Sequence, residues 1–423
     1  MAKRYVINVP GDKYLANRVL LLAGLAKGKS MIKNVPRNDD INHAIGALKS
    51  LGIKIIQHNN FLIIYGCNGK IKLNKTQKHA IDAGESGTLL RFMTSICALS
   101  DKHIIIKGHG SLKNRPISEL CRSLEELGAR CSYNKSKSIP VKVQGPLIGG
   151  ETRISGKVSS QFISSILMAA PYAKKDVEIF VRQPLVSKEY VDMTIDAMKK
   201  FGVTVERKGY RWFRVKAGTE QSYKAKNITL SSDWSNANYL LAAAAITEKD
   251  IIIKNMELYN PKGEAKFCTL LKKIGCNIRM SKSSSFIEYS GKKQCRIRPV
   301  IADMSTLPDS VPTLAVLACF ADGKTTIKNI GQLRYKESNR IVDTALELKK
   351  LGIKVIAGHD YIIIHGDPDK MKHNKATLDH HNDHRMAMSF ALAGLVNKNI
   401  KIKNKGCVRK SFPGFWRALE KIN

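Results

Sequence analysis

ELKKLGIKVI, residues 347–356, decides the architecture. Leu348 and Leu351 lie three apart with lysines between them, the spacing of an amphipathic helix. Gly352 follows at once, where a left-handed residue closes a helix. The run Ile353, Val355, Ile356 is β-branched and reads as a strand. The same helix ending recurs as ALKSLG to Gly52, SLEELG to Gly128, AMKKFG to Gly202 and LLKKIG to Gly275. A second signature, a β-rich stretch ending in a basic residue, recurs beside it. It reads KSMIKN, HIIIKG, EIFVRQ, IIIKNM, TTIKNI and IKIKNK, with the basic residue at Lys33, Lys107, Arg182, Lys254, Lys328 and Lys403, 72 to 75 residues apart. The pattern predicts six copies of a βαβαββ-like unit of about 74 residues. Units this large do not suit a solenoid, so the expectation is an α/β protein of two globular domains with three units each.

Size agrees: 423 residues are long for one hydrophobic core. An apolar share of 43% with 25% charged residues is ordinary for a globular protein. Cys67, Cys97, Cys121, Cys131, Cys268, Cys276, Cys295, Cys319 and Cys407 are scattered without a C-x-x-C pair. That spacing predicts reduced thiols rather than a disulfide framework or a zinc knuckle. The N-terminus MAKRYVINVPGDK lacks a signal-peptide pattern, and the longest apolar runs are too short to span a bilayer. The expectation is a cytoplasmic protein with no membrane partner. A formal charge of +36 raises the question of nucleic acid, but the lysines are spread along the chain without a basic tail or recognisable module. The charge reads as compositional background or as a positive field for anionic metabolites.

Chemistry is expected where the copies differ. PGDKYLANR (10–18) puts Lys13 and Arg18 near a helix start. GESGTLLRF (84–92) looks like a backbone cradle for an anion. KNRPISEL (113–120) brings Arg115 to another helix start, and GKVSSQFISS (156–165) supplies the neutral donors Ser159, Ser160 and Gln161. VSKEYVD (186–192) adds Ser187 and Tyr190. In the second half, Asp309 opens an apolar helix, LRYKESNR (333–340) gathers Lys336, Glu337 and Arg340, and NDHRMAM and RKSFPGF carry Arg385 and Lys410 before further helices. Cations at helix N-termini form anion sites, and the acids Asp309 and Glu337 among them suit general acid–base work on a multiply charged substrate. His373, His380, His381 and His384 show no metal-ligand spacing.

These segments, in this order and over essentially the whole chain, resemble the EPSP synthase family of enolpyruvyl transferases; VSSQFISS, PDSVPTLAVLA, LRYKESNR, NDHRMAM and KSFP are the most specific. The resemblance implies a two-domain inverted α/β barrel, or prism, of six βαβαββ repeats. Residues 12–228 would form one domain and residues 1–11 with 229–423 the other, with the active site in the cleft between them. It implies transfer of the enolpyruvyl group of phosphoenolpyruvate to the 5-hydroxyl of shikimate 3-phosphate with release of phosphate, a step of aromatic amino-acid and chorismate biosynthesis. Lys13, Gly87, Arg115, Arg340, Arg385 and Lys410 would hold phosphoenolpyruvate. Tyr14, Arg18, Ser159, Ser160, Gln161, Ser187, Tyr190, Asp309, Gln332 and Lys336 would hold the acceptor. Asp309, Glu337, Lys13 and Lys336 would be catalytic, with Asp309 taking the hydroxyl proton and Glu337 protonating the methylene carbon. No metal, organic cofactor or nucleic acid is implied, and the protein would act as a monomer on two small molecules. Tyr14 stands where the family has Ser, Glu85 where it has Asn, and Gln332 where Asn is common. These departures leave open an alternative, a paralogous transferase that uses a different phosphorylated acceptor in specialised metabolism.

Overall fold

The computed structural model describes residues 4–73, 79–218, 221–258, 263–281, 283, 285–291 and 296–422, so Cys295 lies outside the described residues. The chain divides into two compact units, Gly11–Leu230 and Met1–Pro10 with Ser231–Asn423. Each has its own apolar core.

Within Gly11–Leu230 the strands form three four-stranded sheets of one pattern. In the first, Lys27–Lys33 pairs antiparallel with Phe61–Cys67, which pairs with Lys54–Gln57. Asn227–Thr229 lies parallel on the other edge, with Asn227 opposite Met31. The end of the unit is thereby tied to its beginning. The second sheet is built the same way on Ile104–Lys107 and the third on Val177–Arg182. In the other unit, Ile251–Ile253 and Gly323–Lys328 centre two more such sheets, and Ala376–Leu378 pairs with Ile400–Ile402 in a two-stranded parallel sheet. Tyr5–Ile7 runs parallel to Ile251–Ile253, which commits this strand to the second unit.

Two kinds of helix cover these sheets. Asp39–Ser50, Ser118–Glu126, Glu189–Lys200, Phe267–Lys273 and Arg340–Lys350 each bury one face, and each is followed by an apolar cap residue and then glycine. Those glycines, Gly52, Gly128, Gly202, Gly275 and Gly352, have φ between +73° and +105°, the region a Cβ disfavours. Lys13–Leu25, Gly87–Cys97 and Ser160–Ala169 are instead buried on nearly every face, as are Trp234–Thr247, Val311–Cys319 and His384–Phe390. A helix apolar all round belongs inside a core. Truncating one of its leucines, such as Leu20 with 0% exposure, removes about 2–5 kcal/mol of stability. The architecture is α/β, as the repeat predicts.

Two of the expected thiols, those of Cys121 and Cys131, lie side by side. Cys121 sits on the helix Ser118–Glu126 and Cys131 on the strand after the Gly128 turn, so their Cα atoms are 5.3 Å apart, within bridging reach. Cys67, Cys97, Cys268, Cys319 and Cys407 are free thiols. Among the described residues no helix is long and apolar enough to cross a membrane.

Candidate active site

The predicted site residues fall into two sets, one per unit. In Gly11–Leu230, Asp12 caps a helix by accepting from Leu15 N at 2.8 Å, which makes Lys13 its first residue. Lys13 is buried, with Nζ 3.0 Å from Asp40 Oδ2 and 5.2 Å from the Tyr14 ring centre. The Tyr14 ring meets that of Tyr190 edge-on at 4.9 Å. Arg18 lies on the second turn of this helix rather than at its start, and is 1% exposed. It donates from Nε to Thr194 Oγ1 at 2.7 Å, from Nη1 to Tyr14 O at 2.9 Å and from Nη2 to Tyr190 O at 3.0 Å. Burial pulls the guanidinium down to about 10, with Asp12, Tyr190 and Tyr14 opposing.

The anion cradle forms at a second helix start. Ser86 caps it, and Gly87 is its first residue. A Cβ on Gly87 would strike Arg115 Nη1, so the missing side chain is what lets the buried guanidinium lie against the helix end. Ser159 caps a third helix, accepting from Gln161 N at 3.3 Å, and Ser160 is its first residue. Arg91 Nη1 donates to Gln161 Oε1 at 2.6 Å, and Gln161 Nε2 donates to Thr88 Oγ1 at 3.0 Å. Ser187 adopts φ +50° and its carbonyl accepts from Tyr190 N at 3.1 Å. Thr194 Oγ1 donates to Ser164 Oγ at 2.9 Å, so contacts run from Arg115 through Gly87, Thr88, Gln161 and their helix to Arg18, Tyr190 and Tyr14. Arg91 is an addition: the sequence shows it in GESGTLLRF, but nothing local marks it as the anchor of Gln161.

The second set is built around Arg340, the first residue of its helix and 1% exposed. Nη1 donates to Asp309 Oδ1 at 2.8 Å and Nη2 to Glu337 Oε2 at 2.9 Å. Nε donates to Asp383 Oδ2 at 2.7 Å and Nη2 to Asp383 Oδ1 at 3.2 Å. Arg385 Nη2 lies 3.5 Å from Asp309 Oδ2, and its Nη1 is 3.3 Å from Tyr239 Oη. Lys410 Nζ is 3.5 Å from Glu337 Oε1. Lys410 itself ends a 3-10 turn, Lys405–Lys410, and the next helix begins only at Phe415. Gln332 donates to Ser305 O at 3.3 Å, and Lys336 is half-buried in the segment that carries Glu337.

So Asp309, Glu337, Arg340, Arg385 and Lys410 form one ion cluster, two acids sharing a guanidinium with cations on their outer oxygens. Two carboxylates this close in a desolvated place repel, and Arg340 and its flanking cations stabilise both. Burial works against the charge on Arg340, but Asp383, Glu337 and Asp309 outweigh it and raise its proton affinity well above the ordinary value. Asp383 and Glu264 were not legible as site residues. Asp383 is also the cap of the helix His384–Phe390, accepting from Arg385 N at 2.8 Å. Glu264 Oε1 accepts from Asp309 N at 3.0 Å. The neighbouring histidines serve structure: His380 Nε2 is 2.7 Å from Asn404 O and His381 Nε2 2.9 Å from Glu347 Oε1. Among the described residues no three His, Cys, Asp or Glu side chains converge as metal ligands.

A family model described as EPSP synthase (3-phosphoshikimate 1-carboxyvinyltransferase) matches residues 4–419. The chain is 37% identical to the chloroplastic 3-phosphoshikimate 1-carboxyvinyltransferase of Solanum lycopersicum, over 99% of this chain and 82% of the relative. It is 38% identical to the enzyme of that name from Buchnera aphidicola subsp. Cinara cedri, over 98% and 94%. A solved structure of EPSP synthase from Acinetobacter baumannii superposes with a TM-score of 0.81 at 26% identity, over 100% of this chain and 97% of the other. With the paired acids and the cation set in place beneath that likeness, the chain belongs to the EPSP synthase family.

Proposed function

We propose that this protein is a transferase that moves the carboxyvinyl group of phosphoenolpyruvate to the 5-hydroxyl of shikimate 3-phosphate and releases phosphate. The observation that carries the reading is the pair Asp309 and Glu337, held on one guanidinium with Arg385 and Lys410 at their outer oxygens. The reaction needs two opposite proton movements, and two acids in one cationic frame can supply them. Asp309 takes the proton of the attacking hydroxyl, with Lys336 near that oxygen. Glu337 delivers a proton to the methylene carbon, which leaves the former enol carbon open to attack. The C–O bond formed there gives a tetrahedral adduct. Its C–O bond to phosphate then breaks as the new methyl group returns a proton to the Glu337 carboxylate, restoring the double bond.

Lys13, Gly87, Arg115, Arg340, Arg385 and Lys410 hold phosphoenolpyruvate. Ser159, Ser160, Gln161, Ser187 and Tyr190 hold the acceptor phosphate, and Tyr14, Arg18 and Gln332 its ring and carboxylate. Helix starts at Gly87 and Ser160 support this assignment, because N-terminal N–H groups favour anions. Lys13, Arg115, Arg340, Arg385 and Lys410 offset the charge that accumulates when two anions are brought together. The same reading extends to the fold, each unit being three βαβαββ copies arranged as an inverted barrel, and to a monomer working in the cytoplasm without a cofactor.

One observation favours a second reading. Tyr14 packs edge-on against Tyr190, so an aromatic ring stands where the acceptor's carboxylate end is expected. A paralogue using another phosphorylated alcohol would exploit that ring. The experiment is phosphate release from phosphoenolpyruvate, with shikimate 3-phosphate set beside a panel of phosphorylated alcohols. Turnover with shikimate 3-phosphate above the rest establishes the first reading. Turnover confined to another alcohol establishes the second.

A further inference from the structure

Glu264 sits in the short 3-10 turn Gly263–Lys266, 45 residues from Asp309 in sequence and 4% exposed. Its carboxyl group is held from two sides. Oε1 accepts from the backbone N–H of Asp309 at 3.0 Å, and Oε2 accepts from the hydroxyl of Ser310. The amide of Asn238 completes the arrangement, donating to Ser310 Oγ at 3.0 Å and to Glu264 O at 2.9 Å. Ser310 Oγ therefore accepts from Asn238, and when Glu264 is ionised its own proton points to Glu264. Three elements that are separate in sequence are locked around the peptide that carries the Asp309 side chain.

The lock matters because of where Asp309 stands. It precedes the helix Val311–Cys319, outside its regular hydrogen bonding, so that helix alone does not fix its backbone. Its side chain is held at the outer end by Arg340 and Arg385. The backbone end is held by Glu264.

We infer that Glu264 is a positioning residue for Asp309: its carboxyl group fixes the Asp309 peptide, and through it the direction in which the Asp309 carboxylate meets the substrate hydroxyl. The inference rests on the carboxyvinyl-transfer reading, in which Asp309 is the base. The protonation of Glu264 is consistent with this task. Burial first, and the neighbouring Asp309 second, push its carboxyl up, with Ser310, the Asp309 N–H and Arg385 opposing. In the neutral form Oε2 donates its proton to Ser310 Oγ while Oε1 still accepts from Asp309 N, with no full negative charge added beside the base.

The test compares Glu264→Ala with Glu264→Gln in the phosphate-release assay. Glutamine retains an acceptor oxygen for the Asp309 N–H, and alanine does not. Misplacing a reacting group by about 1 Å costs roughly 100-fold in rate, so Glu264→Ala should lower kcat at least about 10-fold with each KM within about 3-fold. Glu264→Gln should restore kcat to within about 3-fold of the parent, a recovery that a general loss of core packing would not give. If the alanine variant is not recovered folded, Glu264→Asp takes its place, since one methylene less withdraws the acceptor from Asp309 N. An alanine or aspartate variant with parental kcat, a loss carried by KM alone, or a glutamine variant as slow as the alanine one overturns the inference. A parent protein that releases no phosphate from phosphoenolpyruvate with any phosphorylated alcohol overturns the underlying reading instead.

Discussion

Arg340 meets Asp383 with two nitrogens, Nε to Oδ2 at 2.7 Å and Nη2 to Oδ1 at 3.2 Å. This fork fixes the plane of the guanidinium, and that plane sets where Nη1 and Nη2 can receive Asp309 and Glu337. Both partners are buried. Asp383→Ala should therefore destabilise the protein by about 3–5 kcal/mol, the usual result of stripping one partner from a buried pair. Chemical denaturation measures this, and an unchanged midpoint would refute the assignment.

Asp309→Ala should abolish measurable phosphate release, a loss of at least about 100-fold in kcat for removal of a positioned base. The fold should survive, because Arg340 retains Asp383 and Glu337. Circular dichroism checks the fold, and a folded variant turning over at a near-parental rate removes Asp309 from the role of base.

Gly87→Ala places a methyl group against Arg115 Nη1. The guanidinium must move, so the KM for phosphoenolpyruvate should rise about 10-fold, corresponding to roughly 1.4 kcal/mol. The KM for the acceptor should change little. Equal rises in both constants would show that the residue serves the fold rather than the donor.

Tyr14→Ser removes the ring that packs on Tyr190. The lost edge contact should lower stability by about 0.5–1.5 kcal/mol. Use of shikimate 3-phosphate should be retained or improved. A steep rise in its KM would instead make the Tyr14 ring part of the acceptor site.

Glu264 also predicts a pH dependence. Its carboxyl is raised to about 7 in the folded protein, against roughly 4.3 in an unfolded chain. The folded state then binds the extra proton, so stability from this group is complete below the lower value and is lost as pH rises through the upper one. The difference in melting temperature between the parent and Glu264→Gln should shift against the parent from pH 5 to pH 8. A difference that stays constant would show that Glu264 does not titrate in this window.

Much of the fold was legible because it is periodic. The glycines at 52, 128, 202, 275 and 352 announce left-handed caps through spacing alone. The helix starts at Lys13, Gly87, Ser160 and Arg340 were legible through turn and cap residues beside them. The pairings inside the ion cluster were not, since Arg340 and Asp383 stand 43 residues apart with no period linking them. Asp383 also has a sufficient local use as a cap, which hides the longer-range one. Arg18, expected near the helix start, lies on the second turn because the helix begins at Lys13, directly after its cap. The meeting of Cys121 and Cys131 was hidden for a related reason: the two lie on different elements, and only the Gly128 turn folds one back on the other.

The resting ion cluster also says how an anion must arrive. Arg340, Arg385 and Lys410 already face Asp309, Glu337 and Asp383, three charges against three. Within these pairs the formal charges balance, although the whole chain carries a formal +36. A newcomer is therefore admitted by exchange, taking over cation contacts that the protein's own carboxylates hold beforehand. Each cation contact an arriving anion gains at this cluster is one that a carboxylate of the chain must give up.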